Sequence, residues 1–176
     1  MFGSKSTSSS ASATSSASTT APSAAVRSTD GRFQTVIPVG FVDATHAVSS
    51  GVANVQYLAV GPRHDSFATN INVVREPANG RSDADQIVRL EVDTIKRLER
   101  QASNFSQVTS LKVGGEPARA VDYFNTPTGS RLLHQRQVFV ANGGWIYTIT
   151  YSAIPSAYRA NVGALDEVTS AWRWLG

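Results

Sequence analysis

The chain has 176 residues, no cysteine, a formal net charge of +3 and a pI near 9.5. The missing thiols exclude disulfides, thiolate metal sites and a cysteine nucleophile. The positive surplus does not argue for nucleic acid: three of the 16 basic residues and one of the 13 acidic residues precede Phe33, so 13 face 12 from there on, with no basic run of five or more.

Of the first 25 residues, 20 are Ser, Thr or Ala. Such a stretch has almost nothing to bury and cannot offset the entropy of ordering, so residues 1–31 are expected to be a disordered tail or tether. Residues 32–176 have the size of one domain with one core. No apolar run approaches the ~20 residues of a membrane span, and no apolar signal region follows Met1. The tail nonetheless resembles the spacer behind a cleaved or lipidated N-terminus.

Phe33 to Pro38 is extended, and Phe41 and Val42 are expected to pack back onto the domain. Val52 to Val60, closed by Gly61-Pro62, and Phe67 to Arg75 form a strand pair, broken off by Glu76-Pro77-Ala78-Asn79-Gly80. Ser82 to Ala102 reads as the long helix. Ser82 stands at its N-cap with Asp85 three residues on, and Ala84, Ile87, Val88, Ile95, Leu98 and Ala102 repeat near 3.6 with only Glu91 interrupting. Phe105–Val113 and Ala118–Phe124 flank the Gly114-Gly115-Glu116-Pro117 turn.

The strongest hairpin signal joins Leu132–Val140 to Trp145–Ser152 across Ala141-Asn142-Gly143-Gly144. In its second strand Trp145, Tyr147, Ile149 and Tyr151 share one face, a period of two with aromatic and β-branched residues. A final helix is expected from Pro155 or Ser156, with Tyr158, Val162, Leu165, Val168, Trp172 and Leu175 as its stripe. Strands joined by tight turns and covered by helices predict an α+β fold, with a central antiparallel β-sheet packed between helices.

Chemistry is sparse. Gly114-Gly115 and Gly143-Gly144 lie in no phosphate-loop pattern and read as turn glycines. His46, His64 and His134 have no second ligand at metal spacing, and no G-x-S-x-G elbow is present. Asp83/Asp85 and Asp166/Glu167 are explained by helix surfaces, and no cofactor is indicated. His134 and Arg136 share a strand face: either a solvated face or a polar patch that grips a partner or an anion. Trp172 and Trp174 lie about 200° apart on a helix, so one of them is exposed or the helix ends there. An exposed Trp174 would be the best interface marker in the chain.

These pieces resemble the Mog1/PsbP-like fold, in particular its bacterial branch of small secreted proteins and lipoproteins, over residues 33–175. The resemblance runs through Pro38 with Gly40-Phe41, Val55–Val60, Asn70–Arg75 with Glu76-Pro77, the long helix, and Arg136–Val140. Its sharpest pieces are the Gly-x-Pro-Ala turn at Gly115 to Ala118 and the strand from Tyr147 to Tyr151. The resemblance implies an α/β/α sandwich in proteins that act by docking: a photosystem subunit, a small-GTPase partner, envelope lipoproteins. It brings no common active site. The lipoprotein branch implies a lipidated Cys ahead of the tether, which this sequence lacks, and the acidic surface of a GTPase partner is not apparent.

The leading expectation is a non-enzymatic protein-binding or accessory domain of a bacterial cell envelope. It would be extracytoplasmic where a signal or lipidation segment precedes the tail, and cytoplasmic otherwise. Its partner is expected to be another protein, with His134, Arg136 and Trp174 as the binding surface. The alternatives are a structural subunit of a larger assembly and an enzyme whose site is assembled from scattered cleft residues.

Overall fold

The computed structural model describes residues 23–48, 54–127 and 131–176. Residues 1–22 of the expected tail lie outside the described residues. The boundary expected at residue 31 falls inside the fold, because Ala24–Arg27 is strand β1 and pairs antiparallel with β2, Phe33–Ile37. This short stretch has no hydrophobic pattern of its own. It is ordered by its surroundings: β2 offers a ladder edge, and Asp30 ties down the connecting turn. Asp30 Oδ1 accepts from Ser28 Oγ at 2.6 Å and from Arg32 N at 3.0 Å, while Oδ2 meets Arg75 Nη1 at 2.7 Å.

The chain then forms β3 (Val42–Asp43), the short α1 (Thr45–Val48), β4 (Val55–His64), β5 (Phe67–Pro77) and α2 (Ala84–Leu98). After α2 come β6 (Thr109–Val113), β7 (Glu116–Asn125), β8 (Leu133–Asn142) and β9 (Trp145–Ala153). Strands β3 to β9 make one antiparallel sheet of seven in the order β3-β4-β5-β9-β8-β7-β6. The predicted hairpin is therefore its middle, and it is tighter than expected: Asn142 pairs with Trp145, leaving Gly143-Gly144 as a two-residue turn at φ 57° and 81°. Strand β4 does not stop at Gly61-Pro62. The register shifts between Val60 and Arg63, and that bulge takes the proline out of the ladder.

One sheet face carries Tyr57, Ile71, Val73, Val138, Val140, Tyr147, Ile149 and Tyr151 into the larger core. The opposite face packs Val121, Tyr123, Phe139 and Ile146 under Ile87, Val88 and Ile95 of α2. Helix α2 starts one residue later than expected. Asp83 is the N-cap, its Oδ1 accepting from Gln86 N at 2.7 Å, whereas Asp85 reaches across to Arg119 at 2.6 Å. The helix stops at Leu98, which is 71% exposed, so the buried stripe ends with Ile95.

The single closing helix is the main departure. Pro155–Asn161 is α3 and Gly163–Ser170 is α4, broken at Val162, where a following glycine weakens the helix. Trp172 and Trp174 lie beyond both. Arg173–Trp174 is strand β10, paired with the free edge of β2, so β1, β2 and β10 make a second, three-stranded sheet. Ring packing decides this outcome: Trp172 stacks on the fully buried Phe33 at 3.8 Å, and continued helix would have separated the two. Thr35 Oγ1 donates to Val168 O of α4 at 2.6 Å, and Tyr57 hydroxyl of the large sheet to Val36 O at 2.9 Å, fastening the small sheet to α4 and to the large sheet. The result is an α+β sandwich: α2 on one face, and α3, α4 and the small sheet on the other.

Candidate functional site

Antiparallel register sets His134 opposite Phe124 and Arg136 opposite Asp122. These four residues share the face that α3 covers, and α3 adds Tyr158. The His134 ring is held between two others, with centroids 4.4 Å from Phe124 and 3.5 Å from Tyr158, both nearly parallel. Asp122 collects the polar contacts: Tyr158 hydroxyl donates to its Oδ1, Arg136 Nη1 approaches Oδ2 at 3.3 Å, and His134 Nε2 stands 3.9 Å from Oδ1. Arg136 also donates to Thr109 Oγ1 at 3.3 Å, and Tyr151 hydroxyl donates to Tyr158 O at 3.1 Å.

Burial lowers the His134 pKa, with Arg159 adding to the effect and Asp122 opposing it. The imidazole is thus neutral at neutral pH, and its approach to Asp122 is not an ion pair there. Burial, and then the bond to Asp122, push the Tyr158 hydroxyl well above the phenol range. Asp122 already accepts from two partners and has no poised acid beside it. What remains at the surface is a ledge of planar groups, with the His134 side chain 22% and that of Arg136 29% exposed.

Trp174 does not join this ledge. Its ring packs 5.1 Å from Tyr147 and 5.3 Å from Trp172. Tyr151 is the residue opposite Arg136, and Tyr147 lies four residues away along β9, about 13 Å at strand rise. Trp172 is 3% exposed and Trp174 partly buried, so neither indole stands free in solvent. Both Nε1 atoms are buried without an acceptor among the described residues, each at a cost of about 1–3 kcal/mol.

Sequence reasoning missed a cleft of about 520 Å³ where the end of α2 overhangs the sheet. Gln137 Nε2 donates to Tyr123 hydroxyl at 3.0 Å, Gln135 Nε2 donates to Ser152 Oγ at 2.9 Å, and Gln135 Oε1 is buried without a hydrogen-bond partner among the described residues. Asn125 Nδ2 donates to Glu99 across the mouth, and burial raises the Glu99 carboxyl pKa. The available signal was the alternation in Leu133 to Gln137, which turns Gln135 and Gln137 away from His134 and Arg136. Among the described residues no group of three His, Cys, Asp or Glu could hold a metal ion, and no helix is long and apolar enough to cross a membrane.

No protein-family model matches the chain, and no curated protein matches it. Solved structures do. The cyanobacterial PsbP (CyanoP) of Synechocystis sp. PCC 6803 superposes with a TM-score of 0.60 at 13% identity, over 92% of this chain and 98% of that one. LpqN of Mycobacterium tuberculosis, involved in cell envelope biogenesis, gives 0.61 at 13% identity, over 88% of this chain and 86% of LpqN. PA94 of Pseudomonas aeruginosa, a protein of unknown function, gives 0.57 at 14% identity over 82% and 91%. Identity this low carries architecture only: the chain has the Mog1/PsbP-like arrangement of an antiparallel sheet between helices.

Proposed function

We propose that this is a non-enzymatic docking or accessory domain of a bacterial cell envelope, with its Ser/Thr/Ala-rich N-terminal segment serving as a tether. The observation that supports it best is the ledge of His134 and Arg136. Its one positive charge, the Arg136 guanidinium, is matched within the site by Asp122, and arginine and tyrosine are among the residues that dominate protein interfaces. The fold it shares with LpqN, which acts in cell envelope biogenesis, favours the envelope location.

The test is retention of envelope proteins on the immobilised full chain, compared with Arg136→Ala and His134→Ala variants whose circular dichroism is unchanged. A defined partner held by the parent chain and released by Arg136→Ala is the expected result. Equal retention by all three sinks the ledge as the docking surface.

A second reading, an enzyme with a site assembled from cleft residues, is favoured by one observation: the raised Glu99 carboxyl at the mouth of the 520 Å³ cleft. Against it, Glu99 already accepts from Asn125. A raised folded pKa means the charged form is disfavoured in the fold, a handicap felt as pH rises through the carboxylate range. Glu99→Gln is therefore expected to unfold at the same temperature as the parent or higher at pH 7, with the gap closing in acid. A loss of stability at pH 7 would instead mark the carboxylate as a needed charge.

A further inference from the structure

The cleft under the end of α2 plays no part in docking at the ledge, and its open polar atoms are of one kind. Its volume of about 520 Å³ lies in the range of small-molecule sites. Glu99 and Asn125 stand at its mouth, joined by the bond from Asn125 Nδ2 to Glu99 Oε2. Glu99 Oε1 and Asn125 Oδ1 then accept from no donor among the described residues. Gln137 turns its Nε2 to the Tyr123 hydroxyl, which leaves its Oε1 without a donor there as well. Gln135 Oε1 is closed off from solvent, whereas these three oxygens are not.

The three belong to one group. Asn125 is 6% exposed, so packing fixes its amide beside the carboxylate. Burial, and after it the Glu99 charge, raise the Tyr123 pKa, so the hydroxyl that holds Gln137 lies within the field of that carboxylate. Glu99 itself has no ion-pair partner among the described residues. A carboxylate drawn partly out of water is ordinarily matched by a cation. Here its partner is a neutral amide, and the open atoms around it are further acceptors.

We propose that this cleft binds the ammonium group of an aliphatic primary amine. An ammonium carries three donors and no acceptor, which suits three open oxygens and one negative charge. A guanidinium aims its donors in a flat fork, made for a single bidentate carboxylate. Calcium asks for about six to eight oxygens, more than this cleft offers. Leu98, 71% exposed, and Pro127 add apolar surface along which a methylene chain can lie. The one cation in the lining, Arg100, is exposed and in no ion pair among the described residues. The ammonium can belong to a free diamine or to a lysine side chain; the chemistry of recognition is shared.

The test is titration calorimetry on the full chain at about pH 8, where primary amines remain protonated. Cadaverine is titrated at constant ionic strength, with 1-pentanol and calcium chloride as controls. In a second arm Nα-acetyl-lysine amide replaces cadaverine. Saturable binding with a Kd at or below about 1 mM is expected in at least one arm. The side-chain amide resonances of Asn125 and Gln137 should move with the same midpoint. That of Gln56 on β4, which accepts from Thr29 Oγ1, should stay. Saturation by cadaverine identifies the free amine as sufficient, and saturation by Nα-acetyl-lysine amide alone identifies the lysine side chain.

Glu99→Gln keeps the shape of the side chain and should bind at least about tenfold more weakly. Arg100→Ala removes a like charge from the rim and should bind as tightly as the parent or more tightly. Opposite responses of the two variants would mark an anion site. No saturation in either arm overturns the proposal. So does equal binding by Glu99→Gln, weaker binding by Arg100→Ala, or saturation by 1-pentanol or calcium chloride at the same concentrations.

Discussion

Two turns in this protein have the same local sequence and nearly the same backbone. Gly114-Gly115 reverses the β6–β7 hairpin at φ 58° and 89°, and Gly143-Gly144 reverses β8–β9 at 57° and 81°. Their surroundings differ. At Gly143 an added Cβ would meet nothing closer than Arg32 Nη1 at 3.6 Å, whereas at Gly114 it would press into two indoles at 2.6 to 2.9 Å. The first glycine is needed for its conformation alone. The second is needed for conformation and for the absence of a side chain, because the small sheet has been laid against it. Local sequence specifies the turn; the tertiary neighbour decides how much the glycine matters.

Substitutions can pull this contrast apart. The largest loss is expected beneath the Gly114 turn, where Phe33 stacks on Trp172: Phe33→Ala should lower unfolding free energy by about 4 kcal/mol in denaturant titrations. Gly114→Ala should lose about 3 kcal/mol, combining the left-handed backbone penalty with overpacking against the indoles. Its cost should shrink when Trp174→Ala is already present, so a double-mutant cycle separates the steric part from the backbone part. Additive losses would mean that the indoles do not define the difference between the turns.

Gly143→Ala should lose only about 1 kcal/mol, the conformational part by itself. The smallest effect concerns pH, which touches neither turn. Because burial lowers the His134 pKa, the unfolded chain takes up a proton before the folded one does. Stability is then fully present above the unfolded value, roughly 6.5, and is lost as pH falls through the lower folded value. His134→Phe should flatten the pH dependence of the unfolding midpoint as pH falls below about 6.5. Both glycine variants should keep the parent slope.

The contrast also explains what the sequence could reveal. Period-two alternation placed Trp145 to Tyr151 and paired His134 with Arg136, because both are consequences of strand geometry within a few residues. Asn-Gly-Gly marked the central turn for the same reason. The convergence of Asp122 and Tyr158 on His134 depends on register and on where α3 lands, and neither is written locally. Trp172, Val168 and Leu165 fitted a helical stripe; the 200° between Trp172 and Trp174 allowed for a helix end there, but nothing local showed that the chain continues as strand β10. The stripe was real as far as Val168, which is fully buried. Beyond Ser170 the stack on Phe33 and the edge of β2 outweighed helix propensity. Strand β1 was illegible because its Ala-Ala-Val-Arg is ordered by its partner and not by its composition.

The small sheet has a kinetic consequence. Thr35 bonds Val168, 133 positions along the chain, and β10 closes on β2 farther still. Contacts this distant are late events, since the loop must be closed before they return any stabilisation. During synthesis β1 and β2 therefore wait, unpaired on one edge and with Phe33 uncovered, until nearly all of the large sheet has been made. A chain stalled after α4 would present that apolar edge to its neighbours or to a chaperone. Folding of this domain is completed by its first strands accepting its last one.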